Sequence, residues 1–215
     1  MQKIKAVIFD LDGILANTLP LCIEAFRQSV EPLVKRPVSD AEILATFGPS
    51  EEGTIMALAP DYYDKGVADY LRLYQSLHEM CPLPFDGIKE ILETLKSKGV
   101  YIAMVTGKGK HSTDISLKHF ELTGFFEIIE TGSPKGGRKA EGLRLILDSL
   151  TQIKKEEVLY VGDSPHDILD SRKVGVGVVA AAWAETADPE KLKELNPDEI
   201  FYTIKDFSNW LYDRI

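Results

Sequence analysis

Oxygen-bearing side chains are concentrated just behind three apolar runs. Asp10 and Asp12 follow Ala6-Val7-Ile8-Phe9, Thr106-Gly107 follows Val100 to Val105, and Gly162-Asp163-Ser164-Pro165-His166-Asp167 follows Val158 to Val161. In an open parallel sheet, ligands bind beyond the carboxyl ends of the strands. If these three strands are neighbours, four carboxylates and a threonine meet at one mouth. Clustered carboxylates repel one another, and a hard divalent cation relieves that repulsion. Oxygen-only ligands suit magnesium. A phosphate can share that cation. One carboxylate could then attack phosphorus to give an acyl phosphate, and a second, two residues along, could protonate the leaving oxygen. A helix N-terminus at Gly107 and a lysine would hold the phosphate oxygens. Plainer readings exist for each piece. Ile8 to Leu15 could be a hairpin around Asp12-Gly13, and Thr106 and Asp163 could be ordinary helix caps with Pro165 in the first turn.

The elements that must position these residues follow from hydrophobic pattern and punctuation. Ala6–Phe9 reads as a strand buried on both faces. Residues 16–80 read as mostly helical: Leu19, Cys22, Ile23 and Phe26 fall at helical spacing, Ser39-Asp40-Ala41-Glu42 is a capped helix start, and a further helix covers Tyr63 to Leu77. Pro82, Pro84 and Gly87 mark a boundary. Strands and helices then alternate: helix 88–98, strand 100–105, helix 111–119, strand 126–130, helix 140–150, strand 158–161, helix 168–174 and strand 176–181. That order predicts an α/β fold with a parallel sheet covered on both faces. The expected division is a core of residues 1–15 and 83–215 with an inserted helical domain of residues 16–82.

The set Phe9-Asp10-Leu11-Asp12-Gly13, Val105-Thr106-Gly107 and Gly162-Asp163-Ser164-Pro165-His166-Asp167 resembles the motifs of the haloacid dehalogenase superfamily, over nearly the whole chain. The resemblance implies a Rossmann-like three-layer sandwich with a small helical C1 cap. It also implies a magnesium-dependent phosphatase acting on a small phosphorylated metabolite. In such enzymes Asp10 is the nucleophile and Asp12 the general acid/base. Magnesium is held by the Asp10 carboxylate, the Asp12 backbone carbonyl and Asp163, with Asp167 as a further ligand or its partner. Thr106 and the Gly107 backbone bind phosphate. The lysine expected ahead of the last motif maps onto Lys139, where Ala140 replaces the usual proline, with Lys135 as the other candidate. Ile14 stands where most relatives have threonine. Asn17-Thr18 and the loop Gly48-Pro49-Ser50 resemble the phosphoglycolate phosphatase group and its pyrophosphatase-type relatives, which assigns that loop to substrate selection; a plain turn is the alternative. Pyrophosphatase and sugar phosphomutase activities, or a catalytically silent binding module, are the rival functions on the same site.

Composition sets the remaining bounds. With a formal charge of −9 over 215 residues, the chain has no cationic excess for nucleic acid and repels anionic membranes. Two cysteines, Cys22 and Cys81, are spaced for neither zinc nor a redox pair, and fit reduced thiols in the cytoplasm. No segment has the length and apolarity of a membrane span, and Asp10 and Asp12 break the apolar region that a signal peptide needs. A monomer or homodimer is expected. His78, His111, His119 and His166 share no metal spacing, and His166 reads as solvated. Trp183 fits a packing role near the site, and Tyr62, Tyr63, Tyr70 and Tyr74 read as packing residues. Gly175-Val176-Gly177 precedes a strand and lacks a third glycine, so it is no dinucleotide fingerprint.

Overall fold

A computed structural model describes residues 3–215; Met1 and Gln2, part of the expected first core segment, lie outside it. The first strand, β1 (Ala6–Phe9), is buried along its whole length, as its unbroken apolar run requires. Four helices follow: α1 (Leu19–Val34), α2 (Asp40–Leu44), α3 (Glu51–Leu58) and α4 (Tyr63–Ser76). Then come α5 (Ile88–Ser97), β2 (Tyr101–Val105), α6 (Lys110–His119), β3 (Ile128–Glu130), α7 (Lys139–Ser149), β4 (Val158–Gly162), α8 (Pro165–Val174), β5 (Gly177–Ala181), α9 (Pro189–Glu194), β6 (Glu199–Phe201) and α10 (Ile204–Tyr212).

The six strands form one parallel sheet in the order β3-β2-β1-β4-β5-β6. Alternation along the strands divides the core between its faces. Val7, Phe9, Ile102, Met104, Leu159 and Val161 pack with Ile91, Leu92 and Leu95 of α5 and with Phe207 and Leu211 of α10. Ala6, Ile8, Ala103, Val105 and Tyr160 pack with Leu143 and Ile146 of α7, Ile168 of α8 and Leu192 of α9. The result is the expected three-layer sandwich. The first core continues without a break into the inserted helices through Leu21, Cys22, Ala25, Phe26, Tyr70 and Tyr74. Phe26 stacks on Tyr70 at 4.2 Å between ring centres. Burying rings of this size contributes roughly 2–3 kcal/mol each, which holds α1 against α4 within the insertion.

Helix ends carry the expected signals. Ser164 caps α8 and makes a reciprocal capping box with Asp167, and Pro165 opens the first turn. Gly175 ends α8 at a φ of 78°, a conformation that costs glycine little. Ser39 and Glu42 form the same box at α2. Several boundaries differ from expectation. Helix α8 begins three residues before the expected Ile168, because Pro165 is preset for a first turn. Strand β3 spans three residues instead of five. The last strand and the two helices around it were not anticipated: Glu199-Ile200-Phe201 is too short and too polar at its start to show a strand run.

Candidate active site

Strand order brings the three polar segments together. β1 lies between β2 and β4, with Phe9 paired to Met104 on one side and Val161 on the other. The residues that follow are therefore adjacent: Asp10, Thr106 and Asp163. The backbone N–H of Asp10 donates to the Val161 carbonyl at 3.0 Å. After Asp10 the chain turns through Gly13, at a φ of 75°. The hairpin alternative is excluded, because both neighbours of β1 are parallel strands from later in the chain. The cap readings of Thr106 and Asp163 are also excluded: the caps of α6 and α8 are Gly109 and Ser164.

The carboxyl groups of Asp10, Asp163 and Asp167 place one oxygen each within 4.8 Å of one another. Asp10 is buried; one of its oxygens accepts from the Leu11 N–H at 2.7 Å and the other from Lys139 Nζ at 2.5 Å. Asp167 is fully buried and accepts from Lys139 Nζ at 2.6 Å, the Tyr160 hydroxyl at 2.7 Å, and the Ser164 N–H and hydroxyl at 2.9 and 2.6 Å. Those donors outweigh burial and hold the Asp167 carboxyl below the usual range. Burial, with repulsion from Asp167 and Asp12, pushes Asp10 up to about 6 against the pull of Lys139. Burial and the charges of Asp167 and Asp10 push Asp163 well up. The pocket admits no bulk beside Asp163: a Cβ on Gly13 would lie 1.9 Å from Asp163 Oδ2.

An all-oxygen donor set with two of its carboxyls held unfavourably charged fits a hard divalent cation. Millimolar magnesium is accordingly expected to raise the melting temperature. Below a pH of about 6, protons occupy Asp10 and displace a ligand. The magnesium shift should therefore be larger at pH 7.5 than at pH 5, and D163A should abolish it. Thermal denaturation with and without the ion checks this.

Asp12 faces the other way. Its carboxylate accepts from the Thr18 hydroxyl and lies 3.4 Å from Lys108 Nζ, with about a third of the side chain exposed. The two aspartates thus diverge, Asp10 into the acidic cluster and Asp12 toward the inserted helices. Lys139, the first residue of α7, is the lysine at the cluster, whereas Lys135 is exposed. Thr106 is buried. A Cβ on Gly107 would come within 4.0 Å of Lys139 Cε, so that loop faces the same mouth. The expected helix start at Gly107 is corrected: α6 begins at Lys110, and 106–109 is a loop clipped to its neighbour by a 2.7 Å hydrogen bond from Gly132 N–H to the Lys108 carbonyl.

The loop of Gly48, Pro49 and Ser50 does reach the core. Ser50 N–H donates to the Ser133 carbonyl at 3.0 Å, five residues before Arg138. Glu51, next along, is buried and accepts from the Gly109 N–H at 2.6 Å and the Ser112 hydroxyl at 2.7 Å. His166 is exposed. Trp183 packs on Phe207 and donates from its indole to the Ile14 carbonyl at 3.3 Å. Sequence reasoning missed Lys108, Glu51, the Thr18–Asp12 bond and Tyr160. A lysine two residues beyond Thr106 at a strand tip was a readable signal. Tyr160 was hidden inside an apolar strand.

A doubly covered parallel sheet with an acidic centre at its strand tips defines an α/β protein built for chemistry at that edge. A model of the haloacid dehalogenase-like hydrolase family matches residues 7–181, and the chain belongs to that family. It is 31% identical to pyrophosphatase PpaX of Bacillus pumilus and 30% identical to pyrophosphatase PpaX of Anoxybacillus flavithermus; each match covers 95% of both proteins. Its fold is similar to a haloacid dehalogenase-like family hydrolase from Streptococcus pneumoniae, with a TM-score of 0.73 at 24% identity over 96% of this chain and 98% of that one.

Proposed function

We propose that the chain is a magnesium-dependent phosphatase that hydrolyses a small phosphorylated metabolite through an aspartyl phosphate on Asp10. The observation that carries this reading is the divergence of the two aspartates. Asp10 lies buried against Lys139, and Asp12 lies apart, beside Thr18 and Lys108, free in this reading to serve the leaving group. A cation held by the Asp10 and Asp163 carboxylates and the Asp12 backbone carbonyl, with Asp167 beside it, would neutralise phosphate charge. Lys139, Thr106 and the Gly107 backbone orient the phosphoryl oxygens. Asp10 attacks phosphorus, and the bridging oxygen leaves with the proton of Asp12. A water then attacks phosphorus, its proton passing to Asp12, and Asp10 is freed.

Residues 16–82 act in this reading as a cap, with Gly48, Pro49 and Ser50 at the substrate. The cap excludes water during the first step. Among the described residues no helix is long and apolar enough to cross a membrane. Both cysteines are buried free thiols, which supports the proposal of a reducing, cytoplasmic setting. Pyrophosphate hydrolysis is the second reading, favoured by the two PpaX relatives. Phosphate release should be measured from pyrophosphate, 2-phosphoglycolate and glucose 1-phosphate, with magnesium and with a chelator. Turnover that requires magnesium supports the proposal. Absence of phosphate release from a broad panel of esters and anhydrides would leave a silent binding module.

A further inference from the structure

Lys108 is a buried cation that the steps above do not use. It belongs to the core loop at the tip of β2, yet side chains of the insertion sheathe its ammonium. Cys22 Sγ of α1 lies 3.2 Å from Nζ, and Nζ sits 4.4 Å from the centre of the Tyr74 ring of α4. Among the described residues, the carboxylate paired with it is that of Asp12, at 3.4 Å. Only 3% of the side chain is exposed.

These partners are poor for a buried ammonium. It carries three N–H donors, a thiol is a weak acceptor, and 3.4 Å is long for a charge-assisted bond. Lys139, by contrast, has two carboxylate oxygens at 2.5 and 2.6 Å. A desolvated cation with donor capacity to spare is stabilised by an arriving anion. The position of that anion follows from Asp12. A leaving oxygen within hydrogen-bond reach of the Asp12 carboxyl lies a few ångströms from Lys108 Nζ, so an anionic atom two or three bonds farther into the leaving group falls against the ammonium.

We propose that Lys108 recognises the leaving group, and that the substrates are phosphoryl donors whose leaving group carries its own negative charge close to the bridging oxygen. A second phosphoryl group and a carboxylate share this chemistry. Uncharged alcohols, sugars included, lack it. As the P–O bond breaks, the electron pair goes to the leaving oxygen, which takes the Asp12 proton, and Asp10 gains the bond to phosphorus. Asp12 emerges as a carboxylate beside an anionic product, and Lys108 compensates both. This inference rests on the phosphatase reading and deepens it.

The test is the specificity ratio of wild type, K108M and K108R on pyrophosphate, 2-phosphoglycolate and ethyl phosphate with magnesium. Wild type should prefer one or both charged-leaving-group substrates over ethyl phosphate. K108M should lose roughly thirtyfold or more in kcat/KM on the preferred substrate relative to its change on ethyl phosphate, the size expected when a hydrogen bond to a charged group is lost. K108R should recover part of it. Which of the two anionic substrates falls identifies the leaving anion. An equal loss on all three substrates assigns Lys108 to Asp12 or to packing and overturns the proposal, as does a wild-type preference for ethyl phosphate. If K108M does not melt cooperatively, K108Q, which keeps a donor without the charge, decides by the same ratio. A wild type inactive on all three and on other esters is a separate result: it removes the hydrolase reading itself, before any variant is compared.

Discussion

Asparagine in place of Asp10 is expected to lower turnover by at least about 10⁴-fold, the scale seen when a covalent nucleophile is removed, and to leave the fold intact. The amide has nearly the shape of the carboxylate, so its oxygen can still accept from the Leu11 N–H. It offers no electron pair able to displace a phosphoryl group. Stability should hold because burial already lifts this carboxyl to about 6. A group whose acid form is favoured in the folded state penalises the fold once it ionises, and at pH 7.5 that penalty is fully present. D10N removes it. Without magnesium the variant should melt at or above wild type at pH 7.5; with magnesium its stabilisation should shrink, since a ligand is gone. Phosphate-release kinetics and calorimetry check both halves. Wild-type rates in D10N would remove Asp10 from the role of nucleophile.

The second large effect concerns Lys139, whose ammonium bridges Asp10 and Asp167 across 129 and 28 residues of sequence. Burial works against its charge, and the two carboxylates overcome that and hold it protonated. K139M should therefore cost roughly 3–5 kcal/mol, the range for removing one partner from a buried ion pair, because two buried carboxylates are left without their shared counter-ion. Activity should fall by about 10²–10³-fold, as for the loss of one preorganised contact to the developing charge. Magnesium should recover part of the stability, since a cation can neutralise the same oxygens, but not the rate. Urea unfolding with and without magnesium separates the two. K135M is the control and should stay near wild type. Loss in K135M with a normal K139M would reverse the assignment.

The legible parts of this protein are those written in local pattern. Ala6–Phe9 and Val158–Gly162 are apolar runs closed by acids, which show both the strand and the chemical tip. Asp10, Asp163 and Thr106 could be placed together because parallel topology has few arrangements for alternating strands and helices. Ile204, Phe207 and Leu211 of α10 carry helical spacing, but they follow a strand of three residues that gives no periodic signal. Partners distant in sequence were out of reach. Nothing local says that Glu51 meets Ser112, that Tyr160 turns its hydroxyl onto Asp167, or that Lys108 slides beneath Cys22 and Tyr74. Each depends on how the inserted helices sit on the sheet or on which face a strand residue presents. The helix expected over 111–119 starts at Lys110, but the helix N-terminus expected at Gly107 is displaced for a related reason: the clip from Gly132 to Lys108 holds 106–109 as a loop.

Glu51 has a consequence for how often the mouth is accessible. Its carboxylate joins the start of α3 to Gly109 and to Ser112 in the first turn of α6 through two hydrogen bonds to a single charge. Hydrogen bonds of this kind are worth roughly 1.5–3 kcal/mol net. A local opening limited to this clasp, at about 3 kcal/mol, would leave on the order of one molecule in a hundred ajar; the continuous apolar core beneath it makes the fraction smaller, and the apparent affinity for any visitor would be diluted accordingly. Tight intrinsic recognition and modest measured affinity could then coexist in one molecule, with part of the difference held by Glu51, whose carboxylate is engaged by Gly109 and Ser112.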